Sequence, residues 1–131
     1  MDIDDNNPKP CGELALRTYA LPNDTNAHGN IYAGWIVSQM DLAASIAGEK
    51  TTRSRVVTVD IGQMDFVSPV KVGSVIDIYA TITEIGRSSL TIQVEVWAHK
   101  YDETDFHKVT DAQFVVVSVD QQGRAQSINQ N

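Results

Sequence analysis

Asp41 is the residue whose setting most invites chemistry. It stands in GWIVSQMDLAASIAG (34–48), between Met40 and Leu42. Apolar residues at 35, 36, 37, 40, 42, 43, 44, 46 and 47 cover most of a helix circumference. A helix of that kind is normally buried. Solvation or a structural hydrogen bond accounts for most aspartates. A carboxylate in apolar surroundings, however, is held above its ordinary pKa, which suits a general base near neutral pH. Ser38, Asp41 and Ser45 fall at i, i+3 and i+7, so they share one stripe and the hydroxyls could orient the carboxylate.

The run IYAGW (31–35) ends where that helix starts. Backbone N–H groups there lack intrahelical partners and favour an oxyanion or a polarised carbonyl. Gly34 also reads as no more than a tight turn. Asn26, in the preceding loop, either caps a turn or holds a water or substrate carbonyl beside Asp41. GRSS (86–89) places Arg87, Ser88 and Ser89 in one turn. Backbone N–H groups and a guanidinium can cradle a phosphate, although such turns also occur for structural reasons. Lys50, Arg53 and Arg55 form a second basic group, or a solvated loop.

Other chemistries find no support. Cys11 is the one cysteine, so no disulfide forms within the chain, which fits a reducing compartment. His28, His99 and His107 are scattered without metal-ligand spacing. There is no G-x-S-x-G elbow, no Rossmann pattern and no P-loop. A net charge of −7 argues against nucleic-acid binding through a basic surface. No run has the length of a membrane span, and the start has no signal-peptide pattern, so the expected location is cytoplasmic.

The elements that position these residues follow from periodicity. With 131 residues, 42% hydrophobic and 21% charged, the chain suits one globular domain. Residues 1–12 read as a disordered leader, 13–123 as the domain and 124–131 as a polar, frayed tail. ELALRTYA (13–20) alternates as a strand. The helix of 34–48 follows, with Gly48 as its stop. RVVTVDIGQMDF (55–66), VIDIYATITEI (75–85), SLTIQVEVWAHK (89–100) and KVTDAQFVVVSVD (108–120) are rich in Val, Ile and Thr and read as strands. Short connections make neighbours antiparallel. The expected class is α+β, with an antiparallel sheet curled around one apolar helix.

PNDTNAHGNIYAGWIVSQMD, RVVTV, MDFVSPVKVGSVIDIYATITEIGRSSLTIQVEVW and VTDAQFVVVSVD occur in this order from about Leu14 to Gly123. Together they resemble the YciA-type acyl-coenzyme A thioesterases of the hotdog-fold superfamily. The resemblance implies a hotdog fold and hydrolysis of acyl-CoA to a free acid and CoA. It needs no metal and no cofactor beyond the CoA of substrate and product. It places the helix carboxylate on Asp41 and the loop Asn on Asn26, with N–H groups of Ala33 and Gly34 polarising the carbonyl. The GRSS turn matches a family segment near the CoA nucleotide, and the expected substrate-binding set is Arg87, Ser88 and Ser89 with Ser38 and Arg55. The implied assembly is a homodimer sharing its sites, Asn26 of one subunit facing Asp41 of the other, within a trimer of dimers. Ala33 departs from the family, which usually has a second Gly there. Two other functions fit less well: a hydroxyacyl-CoA dehydratase, for which His28 is the one candidate, and a non-catalytic acyl-CoA binding protein.

Overall fold

The computed structural model describes residues 9–21 and 25–128. Most of the leader, 22–24 of the first loop and the last three residues therefore lie outside the described residues. The order is β1 (Glu13–Tyr19), α1 (Ala33–Thr52), β2 (Arg55–Ile61), β3 (Val75–Ile85), β4 (Ser89–His99) and β5 (His107–Val119). The strands form one antiparallel sheet in the order β1-β3-β4-β5-β2. The two strands that flank α1 in sequence thus take opposite edges. The helix crosses between them over one sheet face and touches all five strands.

Alternation explains the packing. Leu90, Ile92, Val94 and Val96 of β4 are fully buried, as are Phe114 and Val116 of β5 and Ile76 and Ile78 of β3. Ile36, Met40, Ala43 and Ala44 of α1 are buried with them in one core. Each large side chain buried here contributes roughly 1.5–3 kcal/mol. Strict alternation along β4 would set Trp97 on the outer face with Glu95, yet it too is buried. The register shifts between Val96 and Trp97, Phe106 stacks on the indole at 5.2 Å, and its Nε1 donates to Glu95 Oε1 at 2.9 Å.

Gly48 is not the helix stop. It lies within α1 against the sheet, where a Cβ would meet Val116 Cγ2 at 3.1 Å and Val56 Cγ2 at 3.3 Å. Its lack of a side chain lets helix and sheet approach closely. The helix runs on to Thr52 and ends at Arg53, in the left-handed region at φ 57°, whose N–H donates to Glu49 O. Nor is the helix enclosed all round: Leu42 is 49% and Ile46 39% exposed. The apolar residues outnumber what one sheet face can cover.

The tail is ordered through Ile128. Asp120 Oδ1 accepts the N–H groups of Gln122 and Arg124 and closes a turn. Ala125 then bridges Val119, Gln126 N–H donates to Ser118 O, and Ile128 N–H donates to Arg87 O. Composition alone suggested fraying; backbone pairing with the end of β5 overrides it. No helix among the described residues is long and apolar enough to cross a membrane.

Candidate active site

Asp41 lies near the middle of α1, half-buried, on the side that meets β2. Its Oδ1 accepts a hydrogen bond from Thr58 Oγ1 at 2.5 Å. The expected partner Ser38 does not orient it: Ser38 Oγ donates to Trp35 O at 2.8 Å and is spent within its own helix. Thr58 was absent from the candidate residues. Its signal was the alternation in RVVTV, which turns Val56 and Thr58 to the half-buried face of an edge strand.

The start of α1 is open. Tyr32 caps it without a side-chain hydrogen bond, and the first turn has no acidic residue. Tyr32 O accepts from Trp35 and Ile36, so the N–H groups of Ala33 and Gly34 have no partner among the described residues. Gly34 is helical rather than a turn, and a Cβ on it would meet nothing within 4 Å. Packing therefore does not require this glycine, and its absent side chain leaves the helix start clear to a ligand.

Asn26 caps a turn, the first of the two roles considered for it. Its Oδ1 accepts the N–H groups of His28 at 2.8 Å and Asn30 at 3.1 Å. That turn cap fixes the side chain and leaves the Nδ2 donor without a partner among the described residues. Asn26 and Ala33 line one depression of about 410 Å³ with Asn30, Ile36, Phe66 and Ser68. Asp41 does not line it. Eight residues of helix separate Asp41 from Ala33, about 12 Å of axial rise. One chain therefore carries the donors and the carboxylate at separate places.

The turn of 86–89 is built by Gly86 N–H donating to Ser89 O at 2.8 Å. Ser88 O accepts from Ser118 N–H, and Arg55 pairs with Val119 across the sheet. Arg87, Ser88, Ser89 and Arg55 are thus gathered at one end of β5. Ser38 is not among them, since it lies in the second turn of α1. A larger apolar recess of about 500 Å³ lies between β1 and the second half of α1, lined by Leu14, Ile46, Lys50 and Ile82. Lys50 is nine residues beyond Asp41, half a turn around the helix, so this recess opens away from the carboxylate.

An ionic group around a buried carboxylate, unsignalled by any local pattern, lies at the other end of the sheet. Asp77 of β3, 1% exposed, accepts from Arg17 Nε at 2.5 Å and Nη2 at 2.8 Å, and from His99 Nε2 at 3.1 Å. Burial pushes the Asp77 carboxyl up, but the Arg17 hydrogen bonds and charge, with His99, outweigh it and hold the carboxyl below its ordinary value. The same contact raises Arg17. His99 and Asp77 are the buried His–carboxylate pair, and both carboxylate oxygens are already occupied. A dehydratase would need such a pair in the loop, where the His28 ring has no carboxylate partner among the described residues. No metal-binding group of three His, Cys, Asp or Glu occurs among the described residues.

A single long helix held by an antiparallel sheet, with its flanking strands at opposite edges, is the hotdog fold. Comparison with known proteins gives the family. The thioesterase superfamily matches residues 28–104. The acyl-CoA thioester hydrolase YciA of Escherichia coli K12 is 41% identical over 122 residues, 91% of this chain and 92% of that protein. A crystallised hexameric, broad-specificity acyl-coenzyme A thioesterase, in an aspartate-to-alanine form, superposes with a TM-score of 0.89 at 43% identity, covering 92% of this chain and 89% of that one. The hexameric thioesterase y2039 of Yersinia pestis gives a TM-score of 0.89 at 42% identity, covering 92% and 99%. The chain belongs to the YciA-type acyl-CoA thioester hydrolases of the thioesterase superfamily.

Proposed function

We propose that this protein hydrolyses the thioester of acyl-CoA, releasing a free acid and CoA, at sites shared between two subunits. The observation that carries the reading is the pairing of a half-buried Asp41, held by Thr58, with an uncapped helix start beside Asn26. Because these lie apart in one chain, the reaction brings Asp41 of one subunit to the Asn26 depression of the next. The exposed apolar edge β2, which carries Thr58, is the seam this requires. The two crystallised relatives named above are hexamers, which supports a trimer of dimers built on that seam.

The N–H groups of Ala33 and Gly34 polarise the thioester carbonyl and stabilise the oxyanion. Asn26 Nδ2 holds the water. Asp41 takes a proton from it as its oxygen attacks the carbonyl carbon. The tetrahedral intermediate collapses, the C–S bond breaks, and the proton returns to the departing CoA sulfur. Direct attack by Asp41 would instead pass through an anhydride. Arg87, Ser88, Ser89 and Arg55 hold the CoA phosphates at the end of β5. The reaction uses water, a carboxylate and backbone donors, and calls on no cofactor. An acyl-CoA substrate and an exposed free thiol at Cys11 both fit a cytoplasmic setting.

The test is free-thiol release across acyl-CoAs from acetyl to palmitoyl, for the wild type and Asp41→Asn. Turnover should fall by roughly 10²–10⁴-fold in the variant, the scale of losing a general base. The melting temperature should be kept, because Asn conserves the shape. Retention of half the activity would remove Asp41 from the reaction.

A further inference from the structure

We propose that residues 124–128 form a strap that completes the holding site for the nucleotide end of CoA, which makes the tail a determinant of selectivity for CoA over a nucleotide-free thioester. The inference rests on the acyl-CoA reading above.

The strap is fixed at both ends. The Asp120 turn holds Arg124 at 3.0 Å, and Ile128 packs against the core while its N–H donates to Arg87 O at 2.8 Å. Between these anchors, Gln126 and Ser127 wall a polar recess of about 320 Å³ with Thr51, Thr52, Arg53, Ser54 and Ser118. A chain of hydroxyls crosses its floor. Gln126 Nε2 donates to Ser118 Oγ at 3.3 Å, Ser118 Oγ meets Ser54 Oγ at 2.6 Å, and Ser54 Oγ meets Thr52 Oγ1 at 2.8 Å. The strap, the end of β5 and the end of α1 are therefore one connected unit.

Charge distinguishes this end of the molecule. The chain carries −7 overall. Arg17, Lys50 and Lys108 are paired with Asp77, Glu13 and Asp111. Arg53, Arg55, Arg87 and Arg124 have no carboxylate partner among the described residues. Three of them flank the same segment, since Arg55 pairs with Val119, Arg124 adjoins the residue bridged to Val119, and the Arg87 carbonyl receives Ile128; Arg53 lines the recess beside Gln126 and Ser127. Four unneutralised guanidinium groups at one end of an acidic protein are a place for phosphates.

The helix does not help an anion here, since α1 presents its negative C-terminal end. The phosphates therefore belong on the arginine rim, and the hydroxyl-lined recess takes the neutral ribose. Arg87 Nε donates to Ser127 Oγ at 3.4 Å, a long bond by the usual standard. That bond uses one of the five guanidinium donors, so Ser127 positions Arg87 while its Nη donors serve a phosphate oxygen. From Asp41 to Arg53 is about 18 Å along the helix, of the order of an extended pantetheine arm.

The test compares acyl-CoA with the same acyl group on pantetheine, for the wild type, Ser127→Ala and Ile128→Ser. In both variants KM for acyl-CoA should rise about 3–10-fold, the scale of one or two lost hydrogen bonds, with kcat unchanged. Acyl-pantetheine kinetics should not change. Inhibition by adenosine 3′,5′-bisphosphate should weaken by the same factor. An equal loss on both substrates, or an unchanged KM in the exposed and conservative Ser127→Ala together with Ile128→Ser, overturns the strap. A wild type that releases no thiol from either substrate fells the thioesterase reading instead; adenosine 3′,5′-bisphosphate binding by the wild type and variants then decides the strap by itself.

Discussion

Asp41 and Thr58 face each other across the space between α1 and an edge strand. The hydroxyl has one donor proton, and giving it to Oδ1 fixes the carboxylate rotamer while leaving Oδ2 for water. Thr58→Val keeps the shape and removes that donor. Its kcat should fall about tenfold or more, the loss of a hydrogen bond to a charged group, with KM little changed. Thr58→Ser should restore most of the rate. A merely structural threonine would instead show a lowered melting temperature and no rescue. Asp41 and Asn26 could be singled out in the sequence because each is a polar residue at an odd place: one in an apolar helix, the other in the loop that delivers it. Thr58 could not, since a threonine in a strand is ordinary.

At the scale of elements, β1, β3 and β4 are tied at one end by Arg17, Asp77 and His99. Because the folded Asp77 carboxyl is held low, its stabilisation is complete above the ordinary carboxylate value of about 3.9 and is lost as pH falls through the lowered value. Urea unfolding across pH should therefore show the wild type losing stability more steeply in acid than Asp77→Asn. Near neutral pH, Asp77→Ala should cost about 2 kcal/mol, since the buried His99 loses its acceptor while Arg17, more than half exposed, turns to water. A cost below about 1 kcal/mol would mean that water replaces the carboxylate. This group was invisible beforehand because its members lie 60 and 22 residues apart in sequence. Only the β1–β3–β4 order brings them together.

At the scale of the whole molecule, one sheet face and one helix leave too much apolar surface open. Val57, Val59 and Ile61 of β2 are 40%, 58% and 42% exposed, and Leu42 and Ile46 of α1 are exposed as well. An edge strand of this character pairs with another chain. Light scattering should give an oligomer no smaller than a dimer. Val59→Lys should shift it toward smaller species and lower thiol release in proportion, with far-UV circular dichroism kept. A monomer with full activity at assay concentration would refute the shared site.

The sequence by itself determined the class of fold and the element order, because burial imposes period two on strands and a near-continuous apolar surface on a core helix. It also marked Asp41, Asn26, Gly34 and the 86–89 turn, through polar or glycine residues set against that pattern. The tertiary structure decided what each of them touches. It gave Asp41 a threonine rather than a serine, because strand β2 runs beside that face of α1 while Ser38 Oγ bonds back to its own helix. It moved Gly48 from helix stop to packing contact, because Val116 and Val56 lie where a side chain would go. It ordered the tail through Ile128, because the end of β5 offered unpaired backbone groups. Each of these depends on a partner distant in the chain, and local composition carries no record of which distant residue will arrive.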